Sequence, residues 1–456
     1  MPKQVVASLL LLVGAVGLAA AVAAFPALRR VYVCLFFLSN TEYLHINFVS
    51  MEEYRGWVRG FEVTSTDMVL LGLLAAVLFG WGKHPPRLFP PIFVAMLFYL
   101  LLVMVSTTTA FVPLYAAFGA LKFVRYTIAL WVLSNAIWDE EDVAWLFPTF
   151  LACVGYEVFI SMKMYLGGEY RARGTFDHSN TLGMYLNMLL PIVFSALLNL
   201  KTKLTWAYFA IFGAGTGIVV LTLSRGSWVA LALSLAVVTP VSFFLRARPK
   251  KFFLIGLMIL MAIPPSGILV QKMIKRIQEA PESSGEARVM FNMVARQMAH
   301  DRTFGAGINN YSYGTDGPYS DPFEGGLDKG GLCHNLYYLT VGELGWAGLL
   351  ALLLLHGTIY ATVLKFLISH PREDTRTIFA LGWLGGMLTV SLQSTLEWAM
   401  VQTSMSFTFL ALAGVSTALG RIRSTDGAKN WRVWVRYVPV PVGGPAGRAV
   451  ARAGAR

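Results

Sequence analysis

The chain has 456 residues, 56% hydrophobic and only 14% charged, with a formal net charge of +12. A soluble domain carries roughly 45–50% apolar and 25% charged residues, so a water-soluble core is excluded. The basic excess raises the question of a nucleic-acid partner, but its distribution along the chain needs none.

The apolar residues fall into repeated runs of about 17–25 residues, the length a helix needs to cross a bilayer core. Lipid leaves an open backbone without hydrogen-bond partners, and the runs are too long for barrel strands. The expected fold class is therefore all-α, a polytopic integral membrane protein. Spans are expected near 5–25, 66–82, 89–105, 117–137, 144–166, 180–199, 205–223, 226–245, 252–270, 336–364, 377–395 and 399–420. Val31 to Leu38 either dips into the membrane or completes a further crossing, giving twelve or thirteen spans in all. The first run has signal-peptide features in Lys3 and "AAAVAAF", but its length favours an uncleaved span. This divides the chain into N-terminal transmembrane helices (1–270), a large loop (271–335), C-terminal transmembrane helices (336–420) and a basic tail (421–456) expected to be disordered.

Orientation follows from lysine and arginine in short loops. Lys83 and Arg87, Lys201 and Lys203, and Arg246, Arg248, Lys250 and Lys251 all fall on the side that carries the tail. That side is read as cytoplasmic, with its anionic leaflet as the tail's neighbour. The other, exported face receives "RARGTFDHSN" (171–180), the turn in "LTLSRGSWV" (221–229) and the long insertion. An arginine at a helix end can simply snorkel to the headgroups. Several arginines on the disfavoured face, beside glycine or polar residues, point instead to a site.

Within the insertion, Ser283 and Glu286 have capping-box spacing, so a helix is expected from about Ser284. Arg288, Asn292, Arg296 and His300 recur every four residues and share one face. The following "FGAGINNYSYGTDGPYSDPF" has the tyrosines and amides that suit carbohydrate, a composition shared by ordinary surface loops. His334 opens the next span. Glu343 is turned away from it and is expected to bond a neighbouring helix, with Gly342, Gly345 and Gly348 allowing close helix contact. Asp177 and His178 stand where they could tune Arg173, while Ser179 or Asn180 is expected to cap the next span. Glu397, near the exported end of its span, is read as a structural partner. Cys34, Cys153 and Cys333 imply neither a disulfide framework nor a metal site.

The succession "RARGTFDHSNTLGMYLNMLLP", "LTLSRGSWVALAL", "GEARVMFNMVARQMAHDRTFGAGINNY" and "HNLYYLTVGELGWAGL" resembles the O-antigen ligase and polymerase family of bacterial membrane glycosyltransferases, over about residues 110–420. The resemblance implies an enzyme of the inner (cytoplasmic) membrane whose active site faces the periplasm. Such an enzyme moves a glycan from a polyprenyl, typically undecaprenyl, pyrophosphate to an acceptor hydroxyl. It inverts the anomeric carbon and needs no cofactor or metal. By motif, Arg173, Arg171, Arg225 and Arg288 would grip the pyrophosphate, for which the planar guanidinium fork is suited. Lys122 and Arg125 would join them if their helix starts near Ala117, and would lie mid-span if it starts at Phe111. His334 would orient or deprotonate the acceptor hydroxyl. The acceptor stays open between lipid A-core sugar, the growing glycan of a polysaccharide polymerase and a protein hydroxyl, with a slight lean to the ligase. A lipid-linked sugar flippase is the rival from another class, although no inverted repeat is evident.

Overall fold

The computed structural model describes residues 3–40, 45–278, 282–323, 329–370 and 373–422; the basic tail beyond them, expected to be disordered, lies outside the described residues. The helices are α1 (Lys3–Ala24), α2 (Leu28–Leu38), α3 (Ser65–Phe79), α4 (Pro91–Thr108), α5 (Pro113–Ala136), α6 (Glu140–Leu166), α7 (Ser179–Asn199), α8 (Thr205–Leu221), α9 (Arg225–Leu245) and α10 (Pro249–Gln278). The insertion holds α11 (Glu282–Asp301) and the short α12 (Tyr311–Asp316), and α13 (Leu336–Ser369), α14 (Thr375–Gln393) and α15 (Thr403–Ala418) follow. Among the described residues six helices, α4, α5, α6, α7, α9 and α13, are long and apolar enough to cross a membrane. Four shorter apolar helices accompany them. At 1.5 Å per residue α2 reaches only about 16 Å, about half of a bilayer core, so its helix alone does not decide between a dip and a crossing.

One expectation needs correction: the chain is not purely helical. β1 (His45–Ser50) and β2 (Gly60–Thr64) pair antiparallel as a hairpin between α2 and α3. Gly60 is required there, because a Cβ would fall 1.8 Å from the Val49 carbonyl oxygen. Helix α10 also runs past residue 270, to Gln278.

Local sequence sets several helix starts. Pro91 and Pro113 open α4 and α5, where a missing N–H costs nothing. Asp139 and Asp142 form a reciprocal capping box at α6. Asn335 caps α13 by accepting from Tyr337 N and Tyr338 N. The Ser283 side chain of the expected capping box at α11 lies outside the described residues.

Buried α7 forms the centre of the bundle. Helix α14 crosses it at backbone contact distance: a Cβ on Gly382 or Gly386 would fall 2.4 Å from Ile192 Cα or the Met188 carbonyl oxygen. Gly385 meets the side chains of Ser234 and Val238 on α9. Asn187 donates to Ser227 O and Gln393 Oε1, and Gln393 Nε2 donates to Ser227 Oγ. The end of α14 is thereby pinned to the start of α9.

The basic loops do share one end of the bundle. Arg30 pairs with Asp139, Glu141 and Asp142, Lys250 donates to Leu200 O, Arg248 pairs with Glu373, and Arg421 donates to Ser134 O and Asn135 Oδ1. The hairpin and the insertion meet at the other end. There Asn309, with φ +58°, exchanges hydrogen bonds with both Val58 N and Val58 O and donates to Tyr115 O. Asn310 bonds Val112, and Tyr311 donates to Phe291 O. These amides and the phenol are buried and engaged with protein. At these three positions the loop's composition serves docking, while Tyr313 stays exposed. Glu343 accepts from Trp57 Nε1 at 3.1 Å and Tyr311 N at 3.4 Å, so its partners are the hairpin connection and the insertion rather than another span. Gly342 packs on Tyr311 and Ala295, and Gly345 (φ +68°) sits on the Thr303 carbonyl; the close contact made by these two glycines is with the insertion.

Candidate functional site

The 171–180 loop and the α8–α9 turn are held together by one backbone bond and one side-chain bond. Ala172 N donates to Leu221 O at 3.1 Å, and Arg171 Nε donates to Thr222 O at 2.8 Å. Gly174 adopts φ +59°, and a Cβ there would fall 2.3 Å from Glu157 Oε2. That buried carboxylate accepts from both Thr175 N (3.0 Å) and Thr175 Oγ1 (2.7 Å). The loop is thus pulled against α6, with its arginines at the hairpin end of the bundle.

The start of α13 is tied to the segment after α14 in the same manner. Leu336 N donates to Ser394 O, and Asn335 Nδ2 donates to Thr395 O, both at 2.9 Å. These two bonds bring His334 beside Glu397. Glu397 is 8% exposed and collects groups from three places in the chain. Its Oε1 accepts from Asn180 Nδ2 at 2.6 Å and faces Arg288 Nη2 at 3.5 Å, while Oε2 faces His334 Nδ1 at 3.5 Å. Asn180 Oδ1 in turn accepts from Arg171 Nη2 at 2.9 Å. At 3.5 Å the Arg288 and His334 contacts are long for hydrogen bonds, so both side chains keep freedom to turn toward a ligand.

Of the predicted residues, Arg171, Arg288 and His334 therefore converge on one centre. Arg225 is exposed at the first position of α9, and its neighbour Gly226 packs against Leu396, next to Glu397. Arg173 is partly exposed and pairs with Glu169 at 3.2 Å. Neither Ser179 nor Asn180 caps α7: the N-cap is His178, without a side-chain cap bond, and the Asn180 amide is held by Glu397 and Arg171. Sequence reasoning missed Glu397 as the organiser. A lone acid at a span end gives no sign of partners 63, 109 and 217 positions away.

Lys122 and Arg125 are differently engaged. Helix α5 starts at Pro113, which puts Lys122 in its third turn, roughly 14 Å along. Lys122 Nζ lies 2.7 Å from both Glu62 Oε1 and Thr403 Oγ1, and Arg125 grips Asp67 bidentately at 2.8 and 2.6 Å. Burial pushes the Glu62 carboxyl up, but the Lys122 ammonium and the bonds from Lys122 and Thr403 more than reverse this and hold it at about 2. Both cations are neutralised by the hairpin and the start of α3, and neither contacts Glu397.

A cavity of about 410 Å³ lies between the hairpin and the 398–404 segment, with Lys122, Asp177, His178, Leu332 and Trp398 in its wall. Three segments of the charged centre, 171–180, 332–334 and 397–398, therefore border it. Among the described residues no group of three or more His, Cys, Asp or Glu side chains is placed to hold a metal ion.

Residues 209–353 match the family model described as O-Antigen ligase. The match takes in Arg225, Arg288 and His334, and leaves out the 171–180 loop and Glu397. No curated protein matches the chain. Over residues 209–353, less than half of its length, the chain is thus similar to the O-antigen ligase family.

Proposed function

We propose that the chain is a membrane glycosyltransferase that moves a glycan from a polyprenyl pyrophosphate, undecaprenyl in bacteria, to an acceptor hydroxyl at the exported face of the inner membrane. The observation that carries this reading is the gathering of Arg171, Arg288 and His334 around Glu397, beside Arg225, at the end of the bundle opposite the basic loops. In this reading the acceptor oxygen attacks the anomeric carbon from the face opposite the pyrophosphate. The bond to the pyrophosphate oxygen breaks, and the acceptor proton passes to His334. Glu397 facing Nδ1 favours the tautomer with the proton there, which leaves Nε2 to receive the acceptor proton. Arg225, Arg288 and Arg173 bear the charge that develops on the departing pyrophosphate, with no metal required. Arg171 acts one step back, holding Asn180 and the 222–224 turn. An O-antigen ligase-like acceptor, a sugar of lipid A-core, is the leading choice; a growing polysaccharide or a protein hydroxyl would use the same donor chemistry.

The test is transfer by the purified chain in nanodiscs, with a polyprenyl-pyrophosphate glycan, EDTA, and lipid A-core, free glycan or a peptide as separate acceptors. Product on one acceptor is expected and names the reaction. A donor that serves another enzyme of the family but yields no product here would overturn the reading, and donor movement across sealed vesicles would support a flippase.

A further inference from the structure

The cavity under the hairpin has a lining of a different character from the arginine centre beside it. Beside the charged Arg55, Arg59, Glu62, Lys122 and Asp177 it carries neutral hydrogen-bonding residues, including Asn47, Thr64, Gln402 and Ser404, and Trp398 supplies an aromatic surface. Amides and hydroxyls around an aromatic ring are the groups that match a sugar, which offers hydroxyls at its edge and C–H bonds on its face. Its volume of about 410 Å³ falls within the range of small-molecule sites.

Two side chains in the wall bear most directly on what it could hold. Gln402 Oε1 is shut from solvent and has no protein partner among the described residues, an arrangement that proteins rarely leave unexplained. Arg59 lines the cavity from the residue before β2, is exposed, and its guanidinium makes no hydrogen bond or ion pair with a described residue. The contrast with Lys122 is direct, since Lys122 lines the same cavity but is held by Glu62 and Thr403. The cavity thus keeps an uncommitted cation in Arg59 and a buried uncommitted acceptor in Gln402, while the exposed Asp177 carboxylate, also without a partner among the described residues, stands where the wall meets the 171–180 loop. Its wall also runs through Trp398, which follows Glu397, and through His178, two residues before Asn180. A ring bound here would stand next to the charged centre.

We propose that this cavity is a sugar-binding subsite that recognises a sugar ring bearing a carboxylate or phosphate, with Arg59 pairing the anion and Gln402 accepting from a ring hydroxyl. The proposal rests on the glycan-transfer reading for its place beside the centre, and the ring belongs either to the acceptor or to the donor glycan.

The test uses the full chain in nanodiscs and the variants Arg59→Gln and Gln402→Leu. Two soluble probes are followed by saturation-transfer NMR: a phosphorylated core oligosaccharide freed of lipid A, and a uronic-acid-containing repeat-unit oligosaccharide freed of its carrier. Wild type is expected to bind one of them, and each variant to weaken that binding by about ten-fold, as loss of a hydrogen-bonded contact predicts. Dephosphorylation or carboxyl reduction should weaken wild-type binding as much and leave Arg59→Gln unchanged. Binding of the core probe assigns the subsite to the acceptor, and of the repeat-unit probe to the donor. Failure of wild type to bind either probe, or variants that bind as wild type does, would overturn the subsite. The probes carry no pyrophosphate and the readout needs no turnover. Arg59-dependent binding without transfer would therefore remove only the transferase reading, and transfer without such binding only the subsite.

Discussion

Glu397 touches three groups that the proposed chemistry needs, so its replacement should be felt through all of them. Glu397→Gln keeps the shape and removes the charge that faces Arg288 and His334. It should lower kcat by about 10²–10⁴-fold, the span of a positioned acid or base, and His334→Ala should do the same with donor binding retained. Single-turnover transfer by each variant and by the pair checks this. The double variant should be little worse than either single one, because the two act as a unit; additive losses would separate them. Arg225→Ala, Arg288→Ala and Arg173→Ala should each cost roughly 2.7–4 kcal/mol of barrier while membrane insertion stays normal. Three active variants would remove the arginines' proposed role at the pyrophosphate. Arg171→Ala should instead lower stability, since its guanidinium bridges Thr222 O and Asn180. Cys333 lies beside this centre, and burial pushes its thiol up to about 12, so native protein should resist a maleimide at that position until the insertion opens.

The hairpin is an element held by charge as well as by packing. The Glu62 carboxyl is depressed in the fold, so its contribution is present above the ordinary value of 4.5 and is lost as pH falls toward about 2. Hydrogen exchange at residues 45–64 should therefore rise over that interval by more than intrinsic chemistry predicts. Glu62→Gln should remove the extra pH dependence and cost about 3 kcal/mol, the low end for breaking a buried pair. The helical elements were legible because their signals are local. Apolar run length marked the spans, and the four-residue recurrence of Arg288, Asn292, Arg296 and His300 marked α11, whose Arg288 faces Glu397 and whose Arg296 reaches the Tyr338 hydroxyl. The hairpin was not legible. "HINFVS" and "GFEVT" are too short to set an alternation apart from the apolar background, and the side chains that hold the hairpin in place, such as Lys122 and Thr403 on Glu62, lie elsewhere in the chain. The docking role of Asn309 and Asn310 was hidden for a related reason: an amide that satisfies a buried backbone and one that awaits a sugar look the same in sequence.

At the scale of the whole molecule, the two ends of the bundle differ in kind. One gathers basic loops tied by ion pairs, and the other gathers the hairpin, the insertion and the Glu397 centre. Cytoplasmic placement of the basic end can be read with single cysteines, since Cys34, Cys153 and Cys333 are all buried. A membrane-impermeant maleimide applied from outside should label Asp316→Cys and spare Lys201→Cys; the reverse pattern would invert the topology.

The bonds that fix the hairpin also set a schedule. Trp57 is separated from Glu343 by 286 positions, and Asn40 from Thr408 by 368. At a synthesis rate of about 5–20 residues per second, Trp57 emerges roughly 15–60 s before its carboxylate partner exists. For that interval the nascent protein carries an unsupported indole and amide, and a message cut short before α13 and α15 leaves them so permanently. A chain that ends before residue 397 lacks the carboxylate that Arg288 and His334 face, so the centre can assemble only after the last helices have been made.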